Sequence, residues 1–381
     1  MLLAVIGSVA VAGFATGLSI PLVSLRLNAQ GHNELIIGLM AAAPALGFML
    51  TAPFVRGLSA ALGMRTTMLA CIAASAISIA LLDVTAHLTA WFALRVLMGA
   101  ASGVLIALGE TLVNELSPHG HRGRAVAVYT TTFTVCQLCG PATLSTMDSH
   151  SLWPGAISMT VHLMSAGLFW TLFRYKRPDD PEDEADVSIW TCARASPELC
   201  AGVLFFALFD AVILSLFPIY GLHHGYAVGV ATLMVTVVFL GDAVLQFGIG
   251  LLADRMSARV LFRLCGAATL GLSLLLPVLM PHTWIVWPAL AMLGAVAGGI
   301  YTLALIQMGQ RYRGHALVAA NASAGFAWGL GSLFGPLIAG GAALLHPGMG
   351  LPFTLAVAAG LFLLLASSGA ARGARKDPQP L

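Results

Sequence analysis

Long apolar stretches recur along the whole chain, interrupted by short clusters of charge, glycine and proline. A run of about 20 apolar residues, at ~1.5 Å rise each, crosses the hydrocarbon core of a bilayer as one helix. The pattern predicts six spans near 2–27, 35–55, 66–82, 90–115, 125–146 and 152–173. Six more fall near 198–221, 228–249, 260–280, 284–309, 316–345 and 351–368. The two longest, 90–115 and 316–345, are expected to include turns outside the membrane.

Basic residues orient these spans. Of the 18 Lys and Arg, 16 follow even-numbered spans or the last one, from Arg56 and Arg65 to Arg372, Arg375 and Lys376. The alternate loops carry none. By the positive-inside rule the basic side is cytoplasmic, so both termini are expected inside. Arg26, at the outer end of span 1, and Arg95, inside span 4, are the two exceptions.

Composition sharpens the class. Apolar residues make up 59% and charged residues 9%, with a mean hydropathy of +0.90. A soluble domain carries about 25% charged residues, which excludes an ordinary water-soluble enzyme. The net charge is +2 and no basic patch interleaves with aromatics, so no nucleic-acid partner is expected. The six cysteines fall in apolar spans or on the cytoplasmic side, where no disulfide is expected. Met1 opens directly into apolar sequence, so the first helix is expected to stay as a span. No Walker loop, zinc-protease helix or nucleophile elbow is present, so the chain is not read as an enzyme and no cofactor or metal is expected.

Seven of the 16 acidic residues lie between Asp179 and Glu198, with Pro178 and Pro181 among them. This reads as a solvated linker. It divides the chain into an N-terminal six-helix bundle (1–173), a cytoplasmic linker (174–197), a C-terminal six-helix bundle (198–371) and a cytoplasmic tail (372–381). The halves repeat. Pro21 and Pro218 are 197 residues apart, and Gly99 and Gly103 lie 195 residues before Gly294 and Gly298. A parallel repeat of this kind places a solute site near the midplane.

Against that background the loop from Gly250 through Asp254, Arg255 and Arg259 resembles the GxxxDRxGRR-type signature of the major facilitator superfamily. The equivalent first-half loop keeps Gly63 and Arg65 but has Ala60 and Ala61 in place of the acidic-basic pair. Arg95, Gly99 and Gly103 resemble that family's RxxxGxxxG signature. Gly109-Glu110-Thr111, the Arg122–Arg124 loop and the stretch ending in Gly335-Pro336 are most similar to its YcaD-type branch. The resemblance implies an all-α membrane protein of twelve helices in two pseudo-symmetric bundles, lined by spans 1, 4, 7 and 10 and working by alternating access. It implies conformational gating by Asp254, Arg255, Arg259, Gly63 and Arg65, and export as the direction.

Ionisable side chains in hydrocarbon cost about 2.5–3.5 kcal/mol on insertion scales and mark functional sites by default. Asp242 lies 12 residues before Asp254, and Asp210 lies 12 after Glu198. Each is then ~18 Å deep in its helix, near midplane. Both are candidates for proton coupling. Arg95 is a candidate to bind an anionic or zwitterionic substrate, because a permanent cation in a polar cavity favours carboxylate or phosphate. Arg26 could extend that site, and Glu110, on the same helix, could meet a cationic group or serve a gate. Gly99, Gly103, Gly335 and Pro336 are read as helix-packing positions.

The reading is a proton-coupled exporter of a small organic solute in a bacterial inner membrane. Its partners are the solute, protons and the lipid bilayer, and it acts as a monomer. Two alternatives stay open: a proton-coupled importer of a nutrient or metal chelate, and a non-transporting receptor or scaffold on the same fold.

Overall fold

A computed structural model describes residues 1–85, 87–117, 122–148, 151–172, 194–312, 315–346 and 348–373. The acidic run of the expected linker and residues 374–381 of the tail lie outside the described residues. Within them the chain is helical, and no strand occurs. The long helices of the first half are α1 (Leu2–Ala29), α2 (Glu34–Thr51), α3 (Met64–Val84), α4 (Leu88–Leu116), α5 (Arg122–Ser145) and α6 (Trp153–Leu172). Those of the second half are α7 (Pro197–His223), α8 (Val228–Arg255), α9 (Ala258–Leu279), α10 (Thr283–Arg311), α11 (His315–Leu345) and α12 (Gly350–Gly373). Among the described residues, nine of these are long and apolar enough to cross a membrane.

Two expectations change. The spans near 90–115 and 316–345 contain no turn: α4 and α11 are unbroken through 29 and 31 residues. Pro336 sits inside α11 as Pro21 sits inside α1. Neighbouring helices tolerate such prolines by satisfying the freed carbonyls, and extra length is taken up by tilt or by projection beyond the bilayer. The real break comes after α2. There a short helix, Val55–Leu62, ends at Gly63, whose φ of 80° lies in the left-handed region that glycine alone enters without strain.

The chain falls into two compact units. One comprises Met1–Pro181 with Leu214–Thr236, the other Glu182–Ile213 with Val237–Leu381. In lipid, apolar side chains gain nothing by leaving hydrocarbon, so helices associate through close backbone approach at small residues. Glycine supplies that approach in both units. In the first, a Cβ on Gly13 or Gly17 of α1 would overlap the carbonyls of Phe133 or Gln137 in α5. One on Gly47 of α2 or Gly99 of α4 would overlap the carbonyls of Val96 or Pro44. In the second, Gly241 of α8 meets the Ala291 carbonyl and Gly294 of α10 meets that of Val238. Gly331 and Gly335 of α11 lie against Leu204 and Leu208 of α7.

These seams repeat. Gly47 and Gly241 are 194 residues apart, and Gly99 and Gly103 lie 195 residues before Gly294 and Gly298. The α2–α4 crossing and the α8–α10 crossing therefore use equivalent glycines. In the first unit, the beginning of α8 also docks on α5, where Gly229 meets the Ser145 carbonyl. His223 Nδ1, at the end of α7, lies 3.4 Å from Glu34 Oε1.

Candidate functional site

The glycine seams fix where the buried charges stand. Arg95 is on α4, one turn before Gly99, and its side chain is completely buried. Its Nε donates to the Met40 carbonyl of α2 at 3.0 Å, and its Nη1 to Ser19 Oγ of α1 at 3.3 Å. Among the described residues Nη2 has no hydrogen-bond partner. A buried donor left open on a cation is costly, and Nη2 can take an acceptor that reaches it.

In the second unit the buried charge on α8 is Asp242. It is 5% exposed, and a Cβ on Gly298 of α10 would collide with its carboxylate. Among the described residues its Oδ1 has no hydrogen-bond partner. Asp210 of α7, 7% exposed, lies within electrostatic reach of it. The structure thus brings together the two carboxylates that the sequence singles out in the second half. A buried carboxylate with an open oxygen can accept a proton or a cationic group.

Arg26 stands elsewhere. Its Nη1 donates to Asp83 Oδ1 of α3 at 2.6 Å and its Nη2 to the Ser151 carbonyl at 3.1 Å. Both side chains are 10% exposed, so this is a buried ion pair that ties α1 and α3 to the start of α6. Glu110, 15 residues beyond Arg95 on α4, is exposed and lies within electrostatic reach of Tyr129, whose hydroxyl donates to the Ile106 carbonyl at 3.1 Å. It does not join Arg95.

The loop residues also separate. Arg65 Nη2 donates to the Trp170 carbonyl at 2.6 Å, and its guanidinium lies 4.2 Å from that indole's centroid. Arg255 and Arg259 are exposed, and the Asp254 side chain lies outside the described residues. At the same end of the second unit, Arg311 Nη1 donates to Ser196 Oγ at 2.6 Å and to Glu198 Oε1 at 2.9 Å, joining α10 to the start of α7.

Sequence reasoning passed over two buried polar groups. Asp83 sits one residue beyond the expected end of span 3, where a carboxylate reads as solvated. His162 is completely buried in α6. Its Nε2 lies 3.0 Å from Ser75 Oγ of α3 and its Nδ1 2.7 Å from the Ser158 carbonyl. A histidine in the middle of an apolar span was the available signal. Among the described residues, no three His, Cys, Asp or Glu side chains gather as metal ligands do.

Long apolar helices, glycine seams at repeated spacing and charges buried within the helix groups define a polytopic membrane protein. The chain belongs to the Major Facilitator Superfamily, whose sequence pattern it matches over residues 5–233 and 199–380. It is 25% identical over 344 residues to the MFS-type transporter YfkF of Bacillus subtilis (strain 168), covering 87% of this chain and 86% of that one. The MFS-type transporter YcaD of Escherichia coli (strain UTI89 / UPEC) is 24% identical over 255 residues, 65% of this chain and 63% of that one. Among solved structures, a bacterial homologue of the human lysosomal transporter Spinster, inward-facing and occupied, superposes with a TM-score of 0.75 at 13% identity. That superposition covers 99% of this chain and 96% of that one. The nucleoside transporter NupG gives 0.75 at 14% identity over 97% and 98% of the two chains. These likenesses establish the twelve-helix transporter fold.

Proposed function

We propose that this transporter is proton-coupled, with Asp242 as the protonation site and Asp210 as its electrostatic partner. The observation that carries the reading is Asp242 itself: a buried carboxylate pressed against a glycine, with Oδ1 open among the described residues. Such a group gains from a proton whenever no other cation meets it. The open Nη2 of Arg95 favours a solute with an acidic group, so the substrate is a small anionic or zwitterionic organic molecule. Both termini face the cytoplasm of a bacterial inner membrane, by the placement of basic loops. The chain acts as a monomer and moves its solute outward, a direction that rests on resemblance to the family.

The test begins with small molecules compared inside and outside cells that express the chain or its Asp242→Asn variant at matched abundance. A compound enriched in the medium with the native chain alone identifies the substrate and its direction. Enrichment inside the cells overturns export. In proteoliposomes with an imposed pH gradient, the native chain is expected to concentrate that compound. Asp242→Asn and Asp210→Asn are expected to equilibrate it without concentrating it. Concentration by both variants overturns proton coupling.

A further inference from the structure

Beside the carboxylates stands a group of aromatic rings that the coupling reading does not use. Phe206 of α7 stacks on Tyr301 of α10, with centroids 5.2 Å apart and planes at 19°. Trp328 of α11 meets both edge-on, at 5.7 Å from Phe206 and 5.2 Å from Tyr301. Three helices of the second unit thus converge on one aromatic cluster.

Its position relative to the carboxylates is set twice over. Phe206 precedes Asp210 by four residues on α7, one helical turn on the same face. Tyr301 follows Gly298, the residue against the Asp242 carboxylate, by three on α10. Glu198 at the start of α7 and Arg311 at the end of α10 are bonded to each other, so the two helices run in opposite directions. From either helix the rings lie about 4.5–6 Å along the axis from the carboxylates, toward this Glu198–Arg311 end.

Packing alone accounts for the cluster poorly. Phe206 is buried, but Tyr301 and Trp328 keep partial exposure. Trp328 touches rings of α7 and α10 at once, so its indole points in among the helices rather than outward to lipid. A stacked ring pair closed on one side by an indole suits a flat apolar body, and aromatic faces attract cations. Asp242, with Oδ1 open among the described residues, supplies the negative charge one turn away.

We propose that Phe206, Tyr301 and Trp328 form a seat for the planar part of the transported solute, and that Asp242 with Asp210 receives a protonated amine carried on it. This rests on the coupling reading, because the amine and the proton then use the same carboxylate in turn. It also narrows the substrate class: of the anionic and zwitterionic solutes that Arg95 favours, only the zwitterionic ones carry an amine.

Ethidium, a planar cation with no acid group, isolates the seat from Arg95. The purified full chain in lipid nanodiscs is titrated with ethidium, following its fluorescence and the quenching of tryptophan emission. Saturable binding is expected, weakening as pH falls, because a protonated Asp242 no longer attracts a cation. Tyr301→Leu and Trp328→Leu keep apolar volume and remove the ring, and each is expected to weaken binding about fivefold to thirtyfold. Tyr301→Phe and Trp328→Phe keep a ring and are expected to stay within about threefold. If the leucine variants unfold early, quenching in the native chain is compared with that in Trp328→Phe, and loss of the main quenched signal supports the seat.

Native-like binding by both leucine variants overturns the seat, and equal affinity for a neutral planar probe of the same size overturns the amine contact at Asp242. The two readings fail separately. Loss of concentrative transport in Asp242→Asn with native-like ethidium binding by the leucine variants removes the seat and keeps coupling. Weakened binding in those variants, with Asp242→Asn and Asp210→Asn both still concentrating solute, removes coupling and keeps the seat.

Discussion

The carboxylate of Asp242 and the backbone of Gly298 occupy adjoining space with no room for a methyl group between them. Asp242 is therefore placed by a residue on another helix that has no side chain at all. Gly298→Ala is expected to push the carboxylate aside and to destabilise the fold by about 1–3 kcal/mol through overpacking. Substrate transport should fall at least as far as in Asp242→Asn. Gly309→Ala on the same helix, where a Cβ meets nothing within 4 Å, is the matched control. It should transport normally and melt no lower than the native chain, and transport by Gly298→Ala at the native rate would remove the dependence.

Arg26 and Asp83 form a largely buried pair, so removing either partner takes a charge-assisted bond from the other. Arg26→Met and Asp83→Asn are each expected to lower stability by about 3–5 kcal/mol. The double variant should lose less than the sum of the two. Thermal unfolding in one detergent gives the cycle. Additive losses in the double variant would show that the 2.6 Å contact carries no coupling.

Arg95 holds the Met40 carbonyl, which Pro44 leaves without a helical N–H partner. Arg95→Met keeps apolar volume but removes that donor, and is expected to lower stability by about 1–3 kcal/mol. The variant is expected to lose transport. Arg95→Lys keeps the charge but has one ammonium where Nε and Nη1 now reach the Met40 carbonyl and Ser19 separately. It should transport more slowly than the native chain. Normal transport by Arg95→Met would make this residue a packing element.

Arg65 over the Trp170 ring is a local tie between α3 and α6. An exposed cation–π contact contributes about 0.5–1 kcal/mol. Trp170→Leu is expected to lower stability by about that amount and to leave the transport rate unchanged. A changed rate at unchanged stability would instead assign Arg65 to the conformational cycle.

The spans were legible because hydrocarbon imposes one demand, a long apolar helix, and composition answers it directly. Asp242, Asp210 and Arg95 stood out for the same reason, since charge is rare in such helices. What the sequence concealed was which charges meet. Arg26 reads as an extension of the Arg95 site, whereas its partner is Asp83, 57 residues away on another helix. The aromatic cluster was equally hidden, because Phe206, Tyr301 and Trp328 are ordinary apolar positions until three helices bring them together. Turns were over-read in α4 and α11. Length suggested them, but no residue in either helix forces a break once neighbours cover the backbone.

The equivalent glycine crossings make a divergence visible. Phe48 of α2 packs against Gly103 at the place where Asp242 of α8 packs against Gly298, and the two side chains lie 194 residues apart. One half carries an inert ring there and the other an acid. The glycine holds the crossing in place while the residue facing it sets the chemistry, so scaffold and chemistry are specified by different positions. Exchanging the side chain opposite the glycine is expected to change what the crossing can bind and to leave the crossing itself in place.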